Sequence, residues 1–262
     1  MRLAVCISGQ PRYLEEGYFF INKYLSNYDV DFFIHTWWDE SYAGNDFLFT
    51  NIKREGRYDK DTINKIIKYY KPKGLTIEKQ KNFKTSNDVE YGGLHPISTY
   101  SMFYSIKCSN ELKKKYENEN YFKYDLVIRT RFDIAINYFN LNLRDLDSDY
   151  FYLGGEIHKG GQINVPNDQF CISSSENMDY YSHLYDNLEN YLNEGHKIFV
   201  GEQLLKYHLI TKGSKKVYFT DKNELLTNGW WQFSKNDSNC WNHSNAQETI
   251  TECINFKNKL NG

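Results

Sequence analysis

Three charged side chains stand where an apolar strand should end. Arg129, Arg131 and Asp133 are spaced two apart within YDLVIRTRFDIAI, between the runs Leu126-Val127-Ile128 and Ile134-Ala135-Ile136. Side chains on an extended strand repeat every two residues, so a continuing strand would put all three on one face. The plainer reading is an Arg–Asp pair that closes the strand. Yet two guanidiniums beside one carboxylate leave a surplus positive charge, and arginine pairs bidentately with phosphate. That surplus suits a diphosphate, gripped directly or alongside a metal ion held by Asp133.

Other strand ends carry similar signals. Ser8-Gly9-Gln10-Pro11-Arg12 follows an apolar run. Gly9 admits close backbone approach and Arg12 can take a phosphate, although a tight turn with a surface arginine explains the stretch as well. His35-Thr36-Trp37-Trp38-Asp39 follows Phe32-Phe33-Ile34 and could stack a base or a sugar. One of the two tryptophans is expected in the core and the other accessible. Asn167, Asp168 and Gln169 precede Phe170-Cys171-Ile172 and offer groups for sugar hydroxyls, against the alternative of an ordinary Pro-Asn-Asp turn. Asp168 is a candidate carboxylate for catalysis or acceptor binding. Glu202 opens a helix, either complementing its dipole or acting as a rigid general base. His95, just before a long helix, and Trp230, in the tail, join Asn167 and Gln169 as substrate-binding candidates. His243 reads as structural. No HExxH, GxSxG, GxGxxG or P-loop lysine is present.

The elements that must position these residues read as an α/β pattern. Strands are expected at 2–8, 30–38, 74–80, 126 onward, 149–155, 168–174 and 216–220. Helices are expected at 14–25, after Asp61 with the stripe Ile63, Ile66, Ile67 and Tyr70, and after 96 with Ile97, Tyr100, Tyr104, Cys108 and Leu112 on one face. A capping box from Ser173 to Glu176 opens a helix striped by Tyr181, Leu184, Leu188 and Tyr191, and 201–213 is a further helix closed by Gly213. Alternating strands and helices predict a mixed, mostly parallel, Rossmann-type sheet with helices on both faces, in a single domain. Ligands of such sheets bind beyond the carboxyl ends of the strands.

Composition narrows the function. The 262 residues carry 32 basic and 34 acidic side chains, a net charge of −2, which excludes a nucleic-acid partner attracted by an overall basic field. The basic run Lys113-Lys114-Lys115 reads as a solvated helix face. Five scattered cysteines, none in a CxxC pair, exclude a zinc knuckle and suggest a reducing, cytoplasmic setting. No apolar run reaches the length of a membrane span. Aromatic residues make up 17% of the chain, enough to line a sugar or base site.

In their order, SGQPR at 8–12, FFIHTW at 32–37, RTRFD at 129–133, NDQF at 167–170 and Glu202-Gln203 resemble nucleotide-sugar-dependent glycosyltransferases of the GT-A fold, bacterial or viral members in particular. The likeness covers residues 1 to 212. It implies a GT-A-like domain with a nucleotide-sugar half at 1–136 and an acceptor half at 137–262, working in the cytoplasm, or in a host's for a viral protein. It implies donor contacts from Ser8, Gly9, Gln10, Arg12, His35, Thr36, Trp37, Arg129, Arg131 and Asp133. GT-A enzymes carry Asp-x-Asp where this chain has Arg131-Phe132-Asp133. Either Asp133 alone anchors Mg²⁺ or Mn²⁺, or Arg129 and Arg131 neutralise the leaving diphosphate without a metal. Transfer to a glycan hydroxyl, with Glu202 or Asp168 as base and inversion at the anomeric carbon, is the expected activity. A non-catalytic carbohydrate-binding protein and a nucleotide-diphosphate-sugar hydrolase are the alternatives.

Overall fold

The computed structural model of the protein describes residues 1–49, 52–83, 96–136, 142–156, 165–197, 201–220 and 230–232, with helical turns at 252–253, 255–256 and 258–260. In chain order the elements are β1 (Arg2–Gly9), α1 (Leu14–Leu25), β2 (Asp29–Trp37), β3 (Asp46–Phe49), β4 (Ile52–Arg57), α2 (Thr62–Tyr70), β5 (Gly74–Glu78), α3 (Pro96–Glu119), β6 (Leu126–Thr130), β7 (Ile134–Ile136), β8 (Tyr150–Glu156), β9 (Val165–Ser173), α4 (Ser175–Ser182), α5 (Leu184–Asn193), α6 (Gly201–Lys206), β10 (Lys216–Thr220) and β11 (Trp230–Gln232).

Seven strands form one sheet in the order β10-β8-β9-β6-β1-β2-β5. Neighbours pair in parallel except β9, which runs antiparallel to both β6 and β8. The carboxyl ends of β1, β2, β5, β6, β8 and β10 therefore leave the sheet at one edge, and β9 begins there. This matches the expected mixed, mostly parallel sheet flanked by helices.

Both faces of the sheet are buried, which is why β1 reads as an unbroken apolar run. Leu3, Val5 and Ile7 point into a core with Ile21, Leu25, Ile66 and Tyr70 from α1 and α2. Ala4 and Cys6 point into a second core with Phe103, Ile106, Met178, Tyr181 and Leu205 from α3, α4 and α6. Among the described residues no helix is long and apolar enough to cross a membrane.

Several local expectations shift. No element was expected between 39 and 60, where the chain forms a short 3₁₀ turn and the β3–β4 hairpin. Asp61 makes no capping bond to the α2 backbone; its carboxylate accepts from the Asn64 amide instead. Ile67 is exposed, so the α2 stripe is Ile63, Ile66 and Tyr70, with Tyr69 beside it. The cap of α4 is Ser174, one residue later than expected, accepting from the Asn177 N–H at 3.3 Å. The Tyr181–Tyr191 stripe is buried but spans two helices, with the break at His183. Gly213 closes a helix that begins as α6 and widens to a π-helix over Tyr207–Lys212.

The largest shift is in α3. Its inward face runs through Tyr100, Phe103, Ile106, Asn110, Lys113 and Glu117, while Ile97, Tyr104, Cys108 and Leu112 sit half-buried at its margin. Lys113, read as solvated, is 0% exposed, because α4 supplies polar partners that a search for apolar residues does not see.

Candidate functional site

The charged stretch that ends β6 forms a clasp. β6 pairs with β1 as far as Thr130, and the chain then turns over 131–133. The strand does not continue, so Arg129, Arg131 and Asp133 do not share a face. Arg131 instead folds back on Asp133, its Nε donating to Oδ1 at 2.9 Å and its NH2 to Oδ2 at 2.7 Å. Arg12 reaches the same Oδ2 with NH2 at 3.0 Å. The Asp133 side chain is 2% exposed and that of Arg131 15%. Burial works to lower the Arg131 pKa, and the Asp133 carboxylate outweighs it and raises it. A glycine holds the turn close. A Cβ on Gly17 would lie 1.9 Å from the Phe132 carbonyl oxygen, so only glycine lets α1 cross here.

Arg129 has a different place. It is 1% exposed, and its NH1 donates to the backbone carbonyl of Asp168. Its Nε and NH2 have no hydrogen-bond partner among the described residues, and neither has the buried hydroxyl of Tyr181. Its burial puts Arg129 beneath the strand-end edge, where it braces β9, and not at the surface where a diphosphate would touch it directly.

At the start of β9 the turn reading of Asn167 holds locally. Its Oδ1 accepts from the Gln169 N–H at 2.7 Å, and the residue is buried. The Gln169 side-chain oxygen is buried with no partner among the described residues. Asp168 is half-buried against the first turn of α6. A Cβ on Gly201 would lie 2.9 Å from its Oδ2 and 3.0 Å from the Met102 methyl carbon. Glu202, also half-buried, is the next residue, so the two candidate bases are neighbours across α6 and β9.

The ends of β1 and β2 are tied together by polar groups under the surface. Ser105 Oγ on α3 accepts from the Gly9 N–H at 2.8 Å, and Thr36 Oγ1 donates to the Gly9 carbonyl at 3.0 Å. Gly9 has φ +108° with open space where a Cβ would point, so its backbone is bare on that side. His35 Nδ1 lies 2.7 Å from Ser105 Oγ and Nε2 3.2 Å from Glu78 Oε2. This network assigns the ring proton to Nε2, facing the carboxylate. Burial lowers the His35 pKa, with Glu78 opposing. Gln10 Oε1 accepts from the Tyr58 hydroxyl at 3.0 Å.

Ser8, His35, Thr36 and Trp37 are all buried and support the edge from below. The expectation of one core and one accessible tryptophan is corrected. Trp37 stacks on Tyr104 at 5.5 Å, and Trp38 packs on Tyr42 and Tyr58. Tyr104 on α3 covers the first indole, and Tyr58 together with the nearby Tyr42 covers the second.

The sequence reading missed Glu78, Lys81 and Tyr104. Glu78 ends β5 and bonds His35 and Lys81, whose ammonium sits 4.0 Å over the Tyr104 ring. Burial raises the Tyr104 hydroxyl to about 12. The carboxyl-end rule, applied to β5 as it was to β1, β2 and β6, points to Glu78. His95 lies outside the described residues. So does the Trp230 side chain, although its backbone pairs antiparallel with Ile136, next to the clasp.

A divalent cation does not fit the donor set at Asp133. Both carboxylate oxygens receive guanidinium N–H groups, and a dication there would sit against two positive charges. No group of three or more His, Cys, Asp or Glu side chains able to hold a metal occurs among the described residues. Asp133 fits the role of orienting Arg12 and Arg131.

No protein-family model matches the chain, and no curated protein matches it in sequence. Solved structures do resemble it. The apo form of the glycosyltransferase GlyE from Streptococcus pneumoniae TIGR4 aligns with a TM-score of 0.40 and 11% identity over 83% of this chain, which spans only 44% of that protein. A glycosyltransferase involved in glycosylation of the major capsid of PBCV-1 aligns with a TM-score of 0.41 and 9% identity, over 85% of this chain and 83% of its own. Likeness this low assigns no activity or residue role, so the functional reading stands on the site itself.

Proposed function

We propose that the chain transfers a sugar from a nucleoside-diphosphate donor to a hydroxyl of a glycan or another acceptor. One observation carries the reading: at the edge where six strands end, a guanidinium pair clasped on Asp133 lies near the bare Gly9 backbone, and the carboxylates of Asp168 and Glu202 stand at the same edge. Arg131, the more exposed of the pair, meets the diphosphate, with Arg12 behind it. Charge builds on the departing nucleoside diphosphate as the glycosidic bond breaks, and preorganised guanidiniums stabilise it without reorganising. Asp168 or Glu202 removes the acceptor's hydroxyl proton as its oxygen attacks the anomeric carbon from the opposite side, which inverts the configuration. Charge neutralisation falls to the arginines and no step requires a metal.

The reading is tested by thermal shift with UDP, GDP, TDP and CMP, each with EDTA and with Mn²⁺. At least one nucleotide is expected to raise the melting temperature; no shift with any of them overturns the proposal. Glu202→Gln and Asp168→Asn should each keep the nucleotide shift, and the variant that loses turnover identifies the base.

A further inference from the structure

Away from the strand ends, a cleft of about 480 Å³ opens between α5 and the π-helical turn at Tyr207–Lys212. None of its lining residues belongs to the edge where the strands end. One wall is a ladder of carboxamides, Asn187, Asn190 and Asn193, spaced three apart along α5. Residues at that spacing lie on one side of a helix. Asn187 donates to the His183 carbonyl at 2.9 Å, and Asn190 and Asn193 are exposed. Each carboxamide carries two donors and an acceptor, a set that matches adjacent hydroxyl groups.

The floor is rigid. His208 donates from Nε2 to the Tyr180 carbonyl at 2.8 Å and accepts on Nδ1 from the Tyr191 hydroxyl at 2.7 Å. The Tyr180 ring stacks on the imidazole at 4.5 Å, and its hydroxyl donates to the His208 carbonyl at 3.1 Å. A Cβ on Gly213 would lie 2.5 Å from that hydroxyl, so glycine is what lets Tyr180 cross the turn.

The cleft carries no surplus charge. The π-helical register puts Tyr207 and Lys212, five residues apart, on the same side. Both bind Glu194, Tyr207 Oη at 2.7 Å and Lys212 Nζ at 2.8 Å. Burial holds His208 neutral, its pKa lowered to about 4. A phosphate or a cation gains nothing in such a site, and the wall is too polar to favour an apolar chain. π-turns are rare and cluster at functional positions.

We infer that the cleft between α5 and the π-helical turn is a second binding site, for a neutral, hydroxyl-rich saccharide. The carboxamide ladder reads its hydroxyls and the Tyr180 and Tyr191 side chains form its floor. The inference is independent of the transfer reaction, because nucleotide and saccharide occupy different surfaces.

Saturation-transfer NMR on the full chain tests it, with glucose, galactose, mannose and N-acetylglucosamine as probes and glucose 6-phosphate as the anionic comparison. At least one neutral sugar should give a signal, stronger than the phosphorylated one and unaffected by excess UDP. Asn187→Ala/Asn190→Ala should lower that signal at least fivefold with an unchanged melting temperature, and Asn190→Ala alone at least twofold. The inference is overturned if no neutral sugar gives a signal, if both variants keep it in full, or if UDP displaces it.

Discussion

Two buried charge clusters sit at opposite ends of the sheet, and they are built to different standards. At the end where α3 stops and α4 starts, Lys113 and Glu117 are both 0% exposed. The Lys113 ammonium bonds Ser175 Oγ at 2.6 Å, Ser175 O at 3.2 Å and Asp179 Oδ1 at 2.8 Å, which accounts for its three protons. Glu117 accepts from the Ser175 hydroxyl at 2.6 Å, the Tyr124 N–H at 3.0 Å and Lys123 at 2.9 Å. At the other end Arg131 keeps part of its surface in solvent, and beneath it Arg129 has two buried nitrogens with no partner among the described residues. A buried donor left so costs about 1–3 kcal/mol. The saturated Lys113–Glu117 cluster staples two helices, whereas Arg129 braces β9 with two of its donors unpaired among the described residues. Satisfaction, more than charge or burial, separates them.

The sharpest way to break this contrast is Lys113→Met. It strands Glu117 and Asp179 and should cost about 3–5 kcal/mol in urea unfolding, while leaving nucleotide affinity unchanged in the folded fraction. A nucleotide affinity that falls along with stability would erase the distinction between the two ends.

Acid should expose a second saturated feature, the His208 floor. Its unfolded form takes up a proton near pH 6.5, its folded form only near 4. The unfolded chain therefore binds more protons between these values, and stability falls as pH drops through that window, by about 3 kcal/mol in all. His208→Gln should flatten that slope, which unfolding curves at pH 7, 5.5 and 4.5 would detect.

Gly17→Ala acts on the clasp through packing. The new methyl meets the Phe132 carbonyl, so the expected loss is about 1–3 kcal/mol, accompanied by a weaker nucleotide shift because the moved turn carries Arg131 and Asp133. A stability loss with the nucleotide shift intact would detach the clasp from binding.

The smallest expected effect is the most specific. Arg131→Ala should weaken nucleotide binding about tenfold, roughly 1.4 kcal/mol, by titration calorimetry. The affinity of the unmodified chain should be the same in EDTA and in Mn²⁺. A strong gain with Mn²⁺ would return Asp133 to the role of a metal ligand.

Much of this was legible from period and punctuation. α1 runs over the residues its stripe marks, despite Gly17, and β6 ends at the arginines. The glycine that looked like a blemish in α1 is where the helix crosses the Phe132 carbonyl, a contact 115 residues away in the chain that no local pattern records. Arg129 and Arg131 look equivalent in the sequence, yet one is under β9 and the other at the edge, because the strand stops between them. Lys113 looked solvated for a similar reason: its acceptors come from α4, some 60 residues on.

The sequence by itself determined the strands of the main sheet and most of the helices that flank it, the apolar run that buries β1 on both faces, and the edge where polar groups collect. These follow from side-chain period and backbone preference, which are local. Only the tertiary structure decided which arginine faces outward, that Asp133 is taken by two guanidiniums, and that Asp168 lies against the start of α6. Those outcomes depend on which distant groups satisfy each charge, and burial makes that pairing decisive.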